Sequence, residues 1–308
     1  MKAKKRGFIG NIKKYWQLYL FLLLPLAYII VFAYGPMVGL QIAFRDFNAS
    51  KGIFGSPWVG LKYFEKFIHS YQFGRIIRNT FVVSLYSLIA RFPIPIILAI
   101  CINVIRNKYF KKTTQMIVYM PHFISVVVLV GMINQFFNPF VGLYGNIYKL
   151  LFNANAPDLM TNPSSFLHMY VWSGIWQNAG WDSIIYIAAL SSVSQDLHEA
   201  AQVDGASRFR RVLSIDLPAI MPTIVILLVL NTGQIMNLGF EKIFLMQNNV
   251  NLRLSEVIST YVYKEGISPS GGNYSYATAI GLFNSIVNFV LVVGVNKVAQ
   301  KFGGNSLW

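Results

Sequence analysis

Six stretches of this 308-residue chain are too long and too apolar to be ordinary core elements of a water-soluble fold: 15–39, 79–105, 114–137, 167–190, 218–238 and 277–296. A helix rises about 1.5 Å per residue, so about 20 apolar residues cross a hydrocarbon core roughly 30 Å thick. Lipid offers no partner to a backbone N–H or C=O, and a helix satisfies both internally. The expected fold class is therefore an all-α integral membrane protein with six transmembrane helices. Only two stretches carry a charge, Arg91 in the second and Asp182 in the fourth.

Composition fits that solvent. Charged residues make up 12% of the chain, against roughly 25% in soluble domains. The net charge of +15 would suit nucleic acid only if the basic residues formed a patch on a polar domain. They lie instead between apolar runs, from Lys2 to Lys14 and from Arg106 to Lys112, so membrane lipid rather than nucleic acid is the expected surrounding. With the N-terminus inside, the cytoplasmic segments hold fifteen Lys/Arg and the outer segments ten. The orientation expected is both termini cytoplasmic, in a multi-pass protein of the cytoplasmic membrane. The first stretch is too long for a signal peptide and lacks a small-residue cleavage site before Arg45. Lone Cys101 excludes an internal disulfide.

The chain divides into a basic N-terminus (1–14), a first helix (15–39), an extracytoplasmic loop (40–78), a five-helix core (79–300) and a tail (301–308). Segments 40–78 and 239–276 carry turn signals such as Gly55-Ser56-Pro57 and Ser268-Pro269-Ser270-Gly271-Gly272, and are expected to cap the outer face. Segment 138–163, between two Asn-Pro pairs, reads as a looped connection with one short interfacial helix.

Between the fourth and fifth stretches the sequence contains Glu199-Ala200-Ala201, then Asp204-Gly205, then Ile215, Leu217 and Pro218. Physically this reads as a helix with a small Ala-Ala face, interrupted at Gly205 and resumed with Phe209, Val212 and Leu213 on one side. Pro218 suits the first turn of the next helix, where its missing N–H is not needed. The spacing resembles the cytoplasmic EAA loop of binding-protein-dependent ABC importers: E-A-A, three residues, G, nine residues, I, one residue, L-P. Every position is filled.

That resemblance covers about 70–300 and implies a permease subunit whose loop 195–218 docks a separate ATPase. The ATPase subunits would bind ATP and Mg, with no cofactor in this chain. The expected partners are those subunits, a second homologous permease and an extracellular solute-binding protein. Gly239-Phe240-Glu241, Pro93-Ile94-Pro95 and Ser306-Leu307-Trp308 resemble the carbohydrate-uptake, polysaccharide-type branch.

No ATP site is visible here: Gly55 to Gly60 has the glycine spacing of a phosphate-binding loop, but Leu61 stands where its lysine belongs. The histidines are dispersed and no catalytic constellation appears. Two polar clusters lie within the apolar stretches, Trp176, Gln177, Asn178, Trp181 and Asp182 in the fourth, and Asn231, Gln234 and Asn237 at three-residue steps in the fifth. Amides and flat aromatic faces suit a sugar, and the resemblance implies that these helices line the path. Interhelical packing through Asn and Gln is the alternative. Arg91 is open to three roles: a partner of Asp182, an interface residue, or part of the path. Two other classes of reading remain, an ion-coupled secondary transporter, which would need more intramembrane acids than Asp182, and an importer permease for a non-carbohydrate solute.

Overall fold

The computed structural model describes residues 14–269 and 271–303, and among these the regular structure is helical, joined by turns and loops, with one isolated antiparallel bridge between Arg45 and Trp58. Nearly all of the basic N-terminus, Ser270 and Ser306-Leu307-Trp308 lie outside the described residues. The principal helices are α1 (Trp16–Ile29), α2 (Phe73–Arg91), α3 (Pro93–Val104), α4 (Lys108–Tyr119), α5 (Val126–Phe136), α6 (Pro163–Leu190), α7 (Gln195–Val203), α8 (Leu217–Gly233), α9 (Phe240–Met246), α10 (Ile258–Gly266) and α11 (Tyr274–Gly303).

Four helical runs among the described residues are long and apolar enough to cross a membrane: Trp16–Phe44, Phe73–Val104, Arg208–Gly233 and Tyr274–Lys301. The expected third span is not one straight helix. Lys108–Phe123 and Val126–Phe136 meet at a bend of 96° and make a fifth crossing only as a broken pair. The break has local causes. Pro121 enters a tight turn at Met120–Phe123, and the Ser125 hydroxyl accepts from Val128 N–H, capping a new helix. The expected fourth span, α6, is 28 residues long, enough to cross, but its polar side chains keep it below the apolarity of the other four.

The fifth span also begins earlier than expected. Arg208–Arg211 passes through a π-turn at Val212–Asp216 directly into α8. Pro218 lies in the first turn of α8, as expected, but a helical joint rather than a loop precedes it. The wider turn gives room to a residue that cannot donate to the preceding turn. At the other end α8 stops at Gly233. The Asn231 and Thr232 side chains donate to the carbonyls of Leu227 and Leu228, and Gln234 and Ile235 N–H reach back only three residues. Asn237 thus lies beyond the helix instead of on a third step along its face.

α6 occupies the centre, packing most extensively on α3 and also touching α2, α4 and α8. Its contact with α4 is backbone to backbone: a Cβ on Gly180 would fall 1.9 Å from the Val118 carbonyl oxygen. Small residues permit such approach between membrane helices. Segments 40–78 and 239–276 pack together around Phe67, Ile76, Ile258, Tyr261 and Ile280. Glu256, almost wholly buried, ties this layer to α2. It pairs with Arg75 and lies 3.6 Å from Lys264 Nζ, while Asn79 donates to its carbonyl at 3.0 Å. None of the residues of Trp16–Phe44 before Ala43 is buried.

Candidate functional site

Two places gather the residues singled out in the sequence. The first is a cavity of about 490 Å³ among α2, α3, α6, α8 and α9, lined by Gln177, Asn178, Asp182, Asn231, Gln234 and Asn237 among others. Six of the eight path candidates therefore meet at one space. Trp176 and Trp181 are exposed and do not line it.

The candidates differ in how many of their hydrogen-bonding groups are already engaged within the protein. Gln177 Nε2 donates to the Ile124 carbonyl at 2.8 Å, holding the break between α4 and α5. Asn178 is engaged at both ends, Nδ2 with the Gly174 carbonyl and Oδ1 with His122 Nδ1 at 3.0 Å. Trp181 stacks on His122, with ring centres 4.4 Å apart and planes 6° from parallel. Asn237 Oδ1 accepts from Asn284 and Asn288, each at 3.1 Å. Asn231 leaves its carbonyl oxygen uncommitted, and the Gln234 side chain has no hydrogen bond among the described residues.

This division yields a prediction. Trp181→Ala removes the ring that covers His122 and should lower the melting temperature while leaving substrate preference unchanged. Asn231→Ala should cut uptake several-fold with little change in melting temperature, since a lost hydrogen bond is worth about 0.5–1.5 kcal/mol net. Uptake and thermal unfolding of the two variants, measured side by side, check it. A changed preference in Trp181→Ala at unchanged stability would put that ring back on the path.

The charged lining consists of Arg91, Asp182 and Lys242. Arg91 donates to Asp182 Oδ2 from Nε at 3.0 Å and from Nη2 at 2.8 Å, joining α2 to α6. Lys242 was missed because it falls just past the fifth apolar stretch, in a segment read as an outer loop. Its Nζ donates to the Tyr170 carbonyl at 2.9 Å and lies 5.0 Å from the Tyr170 ring centre. Burial first, and the charge of Arg91 second, pull its pKa down to about 8. Ser84 and Ser87 were missed too, since lone serines in apolar runs carry no periodic signal. Both residues line the cavity, but their hydroxyls are buried and have no hydrogen-bond partner among the described residues.

The second place is the turn between α6 and α8. α7 starts at Ser194, whose hydroxyl accepts from Asp196 N–H, and presents Glu199 and Ala200 outward with Ala201 half-buried. It ends at Gly205, φ +75°, with Ala206 N–H bonded to the Ala201 carbonyl and Gly205 N–H to that of Gln202. That bonding pattern is the left-handed helix stop which glycine accommodates without a Cβ penalty. Asp204 is exposed, Ser207 caps the next helix, Ile215 and Leu217 are half-buried and Pro218 is exposed. Arg211 Nη1 donates to Gln202 Oε1 at 3.2 Å, and His198 Nε2 lies 3.2 Å from Asp216 Oδ1. These contacts fix α7 against the start of the fifth span. On the free side Leu197, Val203 and Phe209 stand exposed, Val203 by 88% and Phe209 by 74%.

Comparison with known proteins decides the family. Residues 91–303 match the model of the binding-protein-dependent transport system inner membrane component. The chain belongs to that family. The permease is 40% identical to Protein LplB of Bacillus subtilis over 99% of this chain and 95% of that one. It is 38% identical to the polygalacturonan/rhamnogalacturonan transport system permease protein YteP of the same organism, over 100% of this chain and 95% of the relative. Among solved structures it matches a chain of a bacterial alginate ABC transporter crystallised in complex with its alginate pentasaccharide-bound periplasmic protein. There the TM-score is 0.88 at 38% identity, covering 98% of this permease and 100% of that chain. The permease is thus a membrane-embedded transport component, and the family is not one of enzymes.

Proposed function

We propose that this permease is the membrane half of an ATP-driven importer that carries an oligosaccharide inward through the cavity between α2, α6 and α8. The observation that carries the ATP-driven part is the loop 195–218, which fills the EAA spacing and folds as a short helix, a left-handed stop and a second helix. Its exposed Leu197, Val203 and Phe209 suit burial against another protein. The docking partner is a separate ATPase that supplies ATP and Mg chemistry, with Glu199, Ala200, Ala201, Asp204 and Gly205 at the contact and Ile215, Leu217 and Pro218 joining it to the fifth span. A second permease completes the path and a solute-binding protein delivers the cargo. Saccharide is favoured by the free carbonyl oxygen of Asn231 and the uncommitted amide of Gln234, which match sugar hydroxyls. The named substrates of the relatives point the same way.

The test is copurification: an ATPase should be retained by the intact permease and lost when Val203 and Phe209 are both changed to Glu. Retention by the double variant would remove the loop from the dock.

In this reading the helices 15–39 and 79–300 cross the membrane six times, with 1–14 and 301–308 cytoplasmic and 40–78 outside. With Cys101 replaced, cysteines placed at 110 and 208 should be shielded from an impermeant thiol reagent in intact cells, while one at 267 should react. Labelling of 110 from outside would reverse the orientation.

A further inference from the structure

We propose that Lys242 is the counter-charge for a carboxylate on the cargo, so that the transported oligosaccharide is an acidic one built of uronic acid units. The inference rests on the saccharide reading above and deepens it. Three charged side chains line the cavity, and the one carboxylate among them, Asp182, is taken by two bonds from Arg91. Lys242 is left with a relative exposure of 9% and, among the described residues, forms no ion pair. A buried unpaired cation is costly, and polar groups kept in such places usually serve a ligand or a partner. Its one hydrogen bond goes to the Tyr170 carbonyl, and an ammonium has three donors. Two remain for an incoming anion.

The surroundings suit a carboxylated sugar more than a bare anion. Asn231 offers a carbonyl oxygen and Gln234 a whole amide along the same cavity. These groups match ring hydroxyls, while the cation matches the acid. The competing structural role is that Lys242 merely fastens α9 to α6 through Tyr170.

The experiment is equilibrium binding to the assembled permease–ATPase complex, without the binding protein, so that only the membrane path selects. The probes are trisaccharides of galacturonic, glucuronic and mannuronic acid as free acids and as methyl esters, with a neutral maltotriose control. The wild-type complex should bind at least one acid more tightly than its ester. Lys242→Met should lower that acid-to-ester ratio about tenfold, as expected for losing a hydrogen bond to a charged group, and Lys242→Arg should restore most of it. Lys242→Gln replaces the Met variant if that one fails to assemble. An unchanged ratio in the uncharged variant, or equal loss of acid and ester binding, would overturn the assignment in favour of the fastening role. Wild-type binding of maltotriose or the esters as tight as that of the acids would also overturn it, yet leave the saccharide reading intact. Binding of no saccharide at all would bring down both.

Discussion

Replacing Gly205 with leucine is expected to reduce ATP-driven uptake to background while the permease still inserts and folds. Gly205 has φ +75°, and a residue with a Cβ pays about 1–2 kcal/mol to adopt the left-handed conformation. The turn gives the side chain nothing to strike, for no atom lies within contact range of a Cβ built there. Internal packing is therefore untouched, and the change acts on the angle between α7 and the helix that follows. In the proposed mechanism that angle sets how the ATPase pushes on the fifth span. ATP hydrolysis by the reconstituted complex should lose its dependence on cargo, and Gly205→Ala should fall between leucine and wild type. Uptake and cargo-stimulated hydrolysis, normalised to membrane-inserted protein, provide the check. Normal values in Gly205→Leu would show that the turn geometry does not couple the two proteins.

The second large effect is on stability. Gly180→Ala should sharply lower the yield and melting temperature of the purified permease, because the new methyl would sit 1.9 Å from the Val118 carbonyl oxygen and meets backbone on a neighbouring helix. Backbone cannot swing aside as a side chain can, so α4 and α6 must separate and forfeit contacts along their length. Overpacking of this kind costs about 1–3 kcal/mol, occasionally more. Gly131→Ala is the control. Gly131 sits in α5 with nothing near its Cβ position, and alanine there should be neutral or stabilising by about 0.5–1 kcal/mol. Equal behaviour of the two variants in thermal unfolding would deny the tight crossing of α4 and α6.

The sequence revealed the solvent and the docking loop more readily than the internal path. Apolar length is a local property, so the runs that became α1, α2 with α3, and α11 were visible without any knowledge of neighbours. The stop at Gly205 was legible for the same reason, being fixed by one residue type at one spacing. The bend near Ser125 was obscured because Pro121, His122 and Ser125 interrupt an apolar run that still averages as hydrophobic. Trp181 and Asn178 invite a path role as polar and aromatic groups in lipid, but their contacts with His122, more than fifty positions earlier in the chain, are invisible in the sequence. Asn237 shared the period of Asn231 and Gln234, but α8 had already ended at Gly233. Lys242 was hidden by position, as a lysine just outside an apolar stretch reads as a solvated flank until folding buries it against Tyr170. Non-local partners decide these cases, and no pattern along the chain contains them.

The central claim is that transport through this permease is powered by ATP on a partner protein. Proteoliposomes containing this permease, its ATPase and the second permease, supplied with binding protein and labelled oligosaccharide, test it most directly. Ion gradients are collapsed by ionophores and ATP is placed on the ATPase side. The account predicts accumulation that requires ATP hydrolysis and stops with a non-hydrolysable analogue. Accumulation driven by an imposed proton or sodium gradient in the absence of ATP would contradict it.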